Sequence, residues 1–172
     1  KSTTEDELKA FFTRVNKVAN GNAEYTLEYK FDGLTVCLTY DKGKFVRATT
    51  RGKGTVGEDV TAQVLTIPSF PLSISYQGLL EVRGEAVIPY SEFEKINEAI
   101  EDVGAKYKNP RNLCSGSVRQ LNNEVTAERN VYFYAFSYVL ATESAAEGEA
   151  EPDFANDREN HFKFLKEQGF DV

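Results

Sequence analysis

The sequence predicts an α+β fold built from mostly antiparallel strands with flanking helices, and three observations lead to this prediction. Helical periodicity, with apolar residues at every third or fourth position, occurs in some segments, and the two-residue period of strands occurs in others. Two strand-like runs are joined by a short turn signal, Asp41-Lys42-Gly43, and regular strand–helix–strand units are not evident. The chain has 172 residues, 41% of them hydrophobic, which is enough for one domain with a core.

The first predicted element is a helix near the N-terminus. Thr4-Glu5-Asp6-Glu7 has the form of a capping box. Apolar residues then recur at helical spacing, and Asn20-Gly21 ends the helix. Residues 1–21 are therefore interpreted as an N-terminal linking helix.

The remaining elements follow from the same two periodicities. Strands are predicted at 25–30, 34–40, 44–50, 72–76, 79–88 and 131–140. Helices are predicted at 58–65, 91–103, 109–121 and 157–168. Ser91 begins the second of these helices with a capping box, Asn109-Pro110 begins the third as a cap and a first-turn proline, and Gly169 ends the last.

The charge of the chain is concentrated in one stretch. The net charge is −7, and seven acids against one arginine between Ala141 and Asn160 account for −6 of it. Residues 141–155 are expected to form a solvated acidic loop. No apolar run approaches the roughly 20 residues of a membrane span, and the two cysteines fit neither a disulfide framework nor a zinc site. The composition therefore favours a reducing compartment and no membrane, without the basic stripe of a strong nucleic-acid binder.

Lys30 is the first candidate for chemistry. It lies in Glu28-Tyr29-Lys30-Phe31-Asp32-Gly33, with a carboxylate two residues away on each side. A lysine attacks only as the neutral amine, which desolvation or positive charge favours and carboxylates oppose. Glu28 and Asp32 therefore suit contacts with substrate, metal or protons better than permanent pairing with Lys30. Alone, the K-x-D-G tetrapeptide is a weak signal, and an exposed lysine in an ion pair is the simpler interpretation.

Two further segments suit nucleotide contacts. In the glycine-rich loop 50–59, backbone N–H groups and Arg51 suit a phosphate or the ribose side of a nucleotide, although without Lys30 a flexible connection is the preferred interpretation. On strand 79–88, Glu81, Arg83 and Glu85 share one face, which suits the floor of a polar pocket. There Glu85 could accept hydrogen bonds from ribose hydroxyls or approach a metal ion.

Three more positions complete the candidates. Arg111 and Arg119 lie eight residues apart on a predicted helix and suit phosphate contact, although a polar surface helix is an equal interpretation. Phe136, on an aromatic strand, could stack on a base. His161 is the single histidine and fits a structural role, so a triad hydrolase has no support.

In this order and spacing, the segments resemble the adenylation domain of bacterial NAD-dependent DNA ligases. The shared run is K-x-D-G, T-R-G-x-G-x-x-G-E-D-V-T, L-E-V-R-G-E, N-P-R-N followed by G-S-x-R-Q-L, and an aromatic strand, over roughly Tyr25 to Tyr138. The resemblance implies an incomplete nucleotidyltransferase (ATP-grasp-like) fold, with residues 22–172 as the first part of the adenylation domain. It also implies a cytoplasmic, monomeric enzyme of DNA replication and repair.

The resemblance further implies roles for individual residues. Lys30 would attack the α-phosphate of NAD, release nicotinamide mononucleotide and hold AMP, which then passes to the 5′-phosphate of nicked double-stranded DNA. Asp32 would act at the later steps, and Mg²⁺ would neutralise phosphoryl charge with no ligand assigned in this segment. Glu28 would contact the adenine side of the nucleotide, and Phe136 would stack on the base. Arg51 and Glu85 would contact the sugar region. Arg111 and Arg119 would contact phosphates or the nick. Glu28, Arg51 and Glu85 are expected to wall one cleft around the Lys30 amine.

The chain departs from the family pattern at three places. Lys53 replaces the usual aspartate, Phe136 a usual tyrosine, and Leu113-Cys114-Ser115 a usual alanine run. The family's segment for nicotinamide mononucleotide would precede Lys1, and a second catalytic lysine and the DNA-clamping modules would follow Val172, so we expect a fragment that does not seal nicks alone. The alternatives are an ATP-dependent ligase or RNA-capping nucleotidyltransferase, which share only K-x-D-G, and a degenerate nucleotide- or protein-binding module.

Overall fold

The computed structural model describes residues 4–52, 57–140 and 157–172. The helices in these ranges are α1 (Glu5–Val18), α2 (Thr61–Val64), α3 (Tyr90–Glu98), α4 (Pro110–Val118), α5 (Glu124–Glu128) and α6 (Arg158–Glu167). The strands are β1 (Leu34–Asp41), β2 (Lys44–Thr50), β3 (Leu80–Val87) and β4 (Tyr132–Leu140). All neighbouring strands in this part of the chain are antiparallel, in the order β2-β1-β3-β4. The α+β prediction is confirmed.

A two-residue turn joins β1 to β2. Its residues Lys42 and Gly43 have positive φ angles of 49° and 71°. This backbone geometry matches the right-handed twist of the two strands, which is why a glycine at the second position favours such hairpins. A Cβ at Gly43 would also lie 2.7 Å from the carbonyl oxygen of Ile74. The predicted hairpin is confirmed, and its turn packs against the chain before β3.

The sheet has one buried face and one open face. Alternate residues of each strand point into a core formed with the helices; fully buried examples are Val36, Leu38, Tyr40, Ala48, Leu80, Val82 and Ala86. On the helix side, α4 contributes Leu113, which is completely buried, and α6 contributes Leu165, which is also completely buried. Burial of each such leucine contributes about 1.5–3 kcal/mol. The open face carries the polar residues, including Glu81, Arg83 and Glu85, as the strand period predicts.

A change of register in β4 affects the open face. Arg83 pairs with Ser137 and Gly84 pairs with Ala135, so Phe136 has no partner across the β3–β4 pair. An extra residue of this kind is a β-bulge, which bends a strand and redirects side chains. As a result, Phe136 and Ser137 both line a cavity on the open face.

Two predicted strands are wrong, and one predicted helix has different bounds, in the part of the chain that the structure describes. Positions 25–30 form no strand, since no neighbouring strand pairs with them and the residues are exposed. Positions 72–76 make only an isolated bridge, Lys44 to Ser73, because the contact with the hairpin lasts for a single pair. The helix predicted at 91–103 is α3, which begins after Pro89 without a side-chain cap and ends at Glu98.

The caps of two helices agree with the prediction. Thr4 and Glu7 form the capping box of α1, and Asn109 accepts from the backbone N–H of Asn112 at 2.8 Å. The last helix, α6, also has a side-chain cap, because Asp157 accepts from the backbone N–H of Asn160 at 3.0 Å. The short helix α5 was not predicted, and α2 is shorter than the predicted 58–65. Within the described ranges, none of the helices combines the length and apolar character needed to cross a membrane.

Candidate functional site

The Lys30 segment connects α1 to the sheet without regular structure of its own. Lys30 is exposed, and no hydrogen bond or ion pair joins its amine to the described residues. Side chains next to it attach the segment: the rings of Phe31 and Tyr134 stack with centroids 4.3 Å apart and planes 12° apart. Lys30 therefore lies on a segment that neighbouring side chains attach to the sheet, while its own amine is unpaired among the described residues.

Glu28 pairs with an arginine from the last helix. Arg158 Nε donates to Glu28 Oε1 at 2.6 Å and Arg158 Nη2 to Oε2 at 2.8 Å, with both side chains about one-third exposed. The hydrogen bonds from Arg158 hold the pKa of Glu28 below its usual value. Glu28 is thus kept as an ionised acceptor, and its charge is matched by Arg158 and not by Lys30.

Asp32 pairs with Arg111, one of the two arginines predicted to contact phosphate. Arg111 Nη1 donates to Asp32 Oδ1 at 2.9 Å, and both side chains are largely exposed. The two carboxylates that flank Lys30 in sequence are therefore each engaged by an arginine. Neither carboxylate is paired with the Lys30 amine among the described residues.

Glu85 is engaged within the protein. Its Oε1 accepts from the backbone N–H of Gly33 at 3.0 Å, and its Oε2 accepts from the Thr35 hydroxyl at 2.8 Å. Gly33 fits closely here, because a Cβ would lie 1.9 Å from the carbonyl oxygen of Ala86. Glu85 therefore ties the end of the K-x-D-G segment to β1 and β3.

Hydrogen bonds between Thr50 and Glu58 join the two sides of the glycine-rich loop. Thr50 N donates to the carbonyl oxygen of Glu58 at 2.9 Å, and Glu58 N donates to the Thr50 hydroxyl at 3.0 Å. Arg119 Nε pairs with the Glu58 carboxylate at 2.8 Å, so the second predicted phosphate-binding arginine lies beside this loop. The prediction about Lys53 lies outside the described residues.

A polar hollow on the open face of the sheet has a volume of about 520 Å³. Arg51, from the start of the glycine-rich loop, and Phe136, from the bulge, line it together with Glu81 and Arg83. Arg83 pairs with Glu81 at 3.0 Å. We call this hollow the sheet cavity. Its size and mixed charges suit a polar ligand with an aromatic group.

A smaller cavity of about 220 Å³ adjoins it, and we call it the aromatic cavity. Glu28, Phe31, Phe136 and Phe162 are among its lining residues. Phe136 lines both cavities, so the bulge connects them. A planar ring stacked on Phe136 within the aromatic cavity would share that cavity with Glu28.

The expected single cleft around the Lys30 amine is not what the structure has. Glu28 and Arg51 line different cavities, and neither Lys30 nor Glu85 lines either of the two. The reason is local: both oxygens of Glu85 turn toward Gly33 and Thr35, and the Lys30 segment lies outside the sheet. Phe136 lines both cavities and so links Glu28 with Arg51, and the arginine pairs link Glu28 and Asp32 to the helices.

Sequence reasoning placed Arg83 in a polar pocket but missed Arg158 and Phe162 as parts of this region. Arg158 is the only basic residue between Ala141 and Asn160, and its isolation in an acidic stretch could have drawn attention to it. Its partner, however, lies 130 positions away. No local pattern connects positions so distant, and only the docking of α6 beside the Lys30 segment brings them together.

The two cysteines and the acids form no metal site in the part of the chain that the structure describes. Burial raises the pKa of the Cys114 thiol to about 12. Burial also raises the pKa of Cys37, which lines the sheet cavity. Neither thiol has the depressed pKa of a reactive cysteine.

Comparison with known proteins identifies the family of this chain. The family model for the NAD-dependent DNA ligase adenylation domain matches residues 1–172. A DNA ligase from Ruminiclostridium cellulolyticum is 51% identical over 152 residues, and one from Lachnoclostridium phytofermentans is 54% identical over 152, each alignment covering 88% of this chain. A DNA ligase from Shouchella clausii is 43% identical over 169 residues, or 98% of the chain.

The chain spans only part of these relatives, namely 22% of the length of the first two and 24% of the third. The match nevertheless extends over every motif in the predicted run, from the K-x-D-G segment through the aromatic strand. It includes the residues that anchor the Lys30 segment. The chain belongs to the NAD-dependent DNA ligase adenylation domain family.

Proposed function

We propose that this chain is the nucleotide-binding part of a DNA ligase in which Lys30 accepts AMP from NAD for the sealing of nicks in double-stranded DNA. One observation carries the proposal. The acids two residues before and after Lys30 are paired with Arg158 and Arg111, at 2.6 Å and 2.9 Å, while the Lys30 amine is unpaired among the described residues. Family membership supplies the reaction class.

Lys30 performs the first step. Its neutral amine attacks the phosphorus of the adenylyl group, and a P–N bond forms as the P–O bond of the pyrophosphate breaks. The bridging oxygen leaves with nicotinamide mononucleotide, and the amine loses a proton. The lysyl-AMP product then gives AMP to the 5′-phosphate of a nick, and a 3′-hydroxyl displaces AMP to close the strand.

Other residues bind and orient the nucleotide. Phe136 stacks on the adenine, Glu28 accepts a hydrogen bond from the base, and Arg51 contacts the sugar region. Glu85 holds Gly33 and Thr35 by hydrogen bonds. To accept a hydrogen bond from a ribose hydroxyl, its carboxylate would exchange one of these two bonds for the new one. Arg111 and Arg119 contact phosphates or the nick, and Asp32 acts once Arg111 has moved to a phosphate.

Magnesium is part of the expected reaction, and the residues present do not form a site for it. The described residues contain no group of three acids, histidines or cysteines that could hold an ion. Protein sites for Mg²⁺ often use one or two carboxylates together with substrate phosphates. We therefore assign no step and no ligand in this chain to a metal ion.

The experiment that tests the proposal follows AMP transfer to a single residue. The intact protein that carries this chain is incubated with NAD and Mg²⁺, and peptide mass spectrometry locates the adduct. We expect one AMP on Lys30, and none in Lys30→Ala or Lys30→Arg. Lys42→Ala, a substitution at an exposed turn lysine, is the matched control and is expected to retain the adduct.

The choice of nucleotide separates the alternatives. AMP transfer from ATP in place of NAD would indicate an ATP-dependent ligase or capping-type enzyme. Nucleotide binding without an adduct from either donor would indicate a binding module and would contradict the proposal. The 172 residues alone are expected to bind adenine nucleotides weakly and to seal no nicks, which an assay on nicked DNA measures directly.

A further inference from the structure

The position of Glu28 depends on side chains and not on the backbone. Within the described chain, no hydrogen bond between backbone groups involves residues 23–32. Side-chain contacts therefore decide where Glu28 lies. The bidentate pair with Arg158 joins the Glu28 carboxylate directly to α6. A fork of this kind fixes orientation as well as distance, because both oxygens are bound in one plane.

Arg158 is itself fixed from two sides. Its guanidinium carbon lies 4.3 Å from the centre of the Phe162 ring, one helical turn further along α6. Stacking of this type adds to the ion pair and holds the guanidinium plane. The helix is anchored in the core by Leu165, which is completely buried. Arg158 therefore links the Glu28 carboxylate to a helix that is packed in the core.

The pair lies at the edge of the aromatic cavity. Glu28 and Phe162 line that cavity together with Phe136, and apart from Glu28 and Lys166 its lining side chains are uncharged. Each carboxylate oxygen has two lone pairs, and the fork uses one on each. The remaining lone pairs can accept a hydrogen bond from a flat heterocycle that stacks on Phe136.

We propose that Arg158 is a positioning residue that makes this cavity selective for a purine with an amino group at position 6. The inference rests on the proposed function, in which the cavity takes the adenine of NAD. Held by Arg158, Glu28 presents ionised oxygens at a fixed place. These oxygens accept from the 6-amino group of adenine and repel the 6-oxo group of hypoxanthine, which offers an acceptor in place of a donor.

The test compares two donors that differ only at this group. In the intact protein, KM and kcat for AMP or IMP transfer to Lys30 are measured with NAD and with the dinucleotide that carries hypoxanthine in place of adenine. We expect wild type to prefer NAD. Arg158→Gln should raise KM for NAD about tenfold with kcat nearly unchanged, as expected for loss of a charge-assisted contact. KM for the 6-oxo donor should stay the same or fall.

Two further variants separate positioning from folding. Arg158→Lys keeps the positive charge and the stem but cannot form the fork, and is expected to recover only part of the preference for NAD. Lys163→Ala, an exposed substitution on the same helix, is expected to match wild type. Thermal unfolding of each variant shows whether it is folded. If Arg158→Gln does not fold, the donor preference of Arg158→Lys tests the inference in its place.

Each remaining outcome counts against the inference. Folded Arg158 variants with the wild-type preference would overturn the role of Arg158 and leave the ligase proposal intact. A gain in NAD affinity in Arg158→Gln would overturn it as well, because Arg158 would then compete with the base for Glu28. A wild-type protein that forms no Lys30 adduct with either donor would overturn the proposed function and this inference together.

Discussion

Arg111 on α4 donates a 2.9 Å hydrogen bond to Asp32, which lies 79 positions earlier in the chain and two residues after Lys30. The bond brings the N-P-R-N and K-x-D-G motifs into contact. Both side chains are mostly exposed, with 60% of Arg111 and 71% of Asp32 accessible. Such a pair contributes at most about 1 kcal/mol to the stability of the fold. Its main consequence is therefore that it occupies the Asp32 carboxylate next to Lys30.

Removal of Arg111 is expected to slow AMP transfer to Lys30. In Arg111→Ala, the Asp32 carboxylate has no guanidinium partner and becomes free to pair with the Lys30 amine, so we expect adduct formation to slow about tenfold. Adding Asp32→Asn removes that carboxylate and should recover much of the rate. Single-turnover formation of the adduct measures the effect. Arg14→Ala on α1 is the control, and a double variant slower than Arg111→Ala would contradict the argument.

Replacement of Gly33 by alanine is expected to destabilise the fold. The new Cβ would lie 1.9 Å from the carbonyl oxygen of Ala86, and backbone cannot yield as a flexible side chain does. We expect a loss of roughly 2 kcal/mol or more in the free energy of unfolding. Denaturant titration measures it. Gly116→Ala in α4 is the control, since its Cβ would meet only Tyr107 at 3.5 Å.

That control should behave in the opposite way. Alanine is a better helix former than glycine by about 0.5–1 kcal/mol, so Gly116→Ala should leave stability unchanged or raise it. Equal losses at Gly33 and Gly116 would contradict the close contact inferred at Gly33.

Phe136 is expected to determine nucleotide affinity through its ring. In Phe136→Ala, the loss of stacking should weaken NAD binding by roughly five- to tenfold, near the lower end of measured base–aromatic stacking. Phe136→Tyr retains the ring and should bind within about twofold of wild type. Calorimetric titration with NAD measures both. Val139→Ala, on the same strand outside both cavities, is the control. Unchanged NAD binding in Phe136→Ala would show that Phe136 does not contact the nucleotide.

His161 is expected to make stability depend on pH. Its ring stacks on Tyr138 at 4.2 Å, its Nε2 is buried without a hydrogen bond to the described residues, and burial, followed by the charge of Arg158, lowers its pKa below the usual value. Glu28, on the facing segment, acts in the opposite direction and only partly offsets this. The folded chain therefore resists a proton that the unfolded chain accepts near pH 6.5.

The direction of the effect follows from that difference. Stability is complete above about pH 6.5, declines as pH falls from there toward the lowered folded pKa, and then levels off for this group. Thermal unfolding of wild type between pH 8 and 5 measures the decline. His161→Phe keeps a flat ring against Tyr138 and should show a flatter profile. Identical profiles would mean that another group titrates.

Agreement between sequence and structure is best where the cause is local. The Thr4 capping box, the Asn109 cap with its following proline, and the Lys42-Gly43 turn all form as predicted. Each depends on hydrogen bonds or φ angles within about four residues, which the residue types decide. The strand predicted at 25–30 did not form, because a two-residue period describes a strand only when a neighbour is present to pair with it.

The sequence by itself determined the family, the candidate lysine and the order of its motifs, because these are properties of residue type and spacing. Only the tertiary structure decided which charges meet: Glu28 with Arg158 at a separation of 130 positions, and Asp32 with Arg111 at 79. It also decided that Phe136, at a shift in register, joins two cavities. Such contacts depend on how β4 pairs with β3 and where α4 and α6 dock, and no local pattern encodes either.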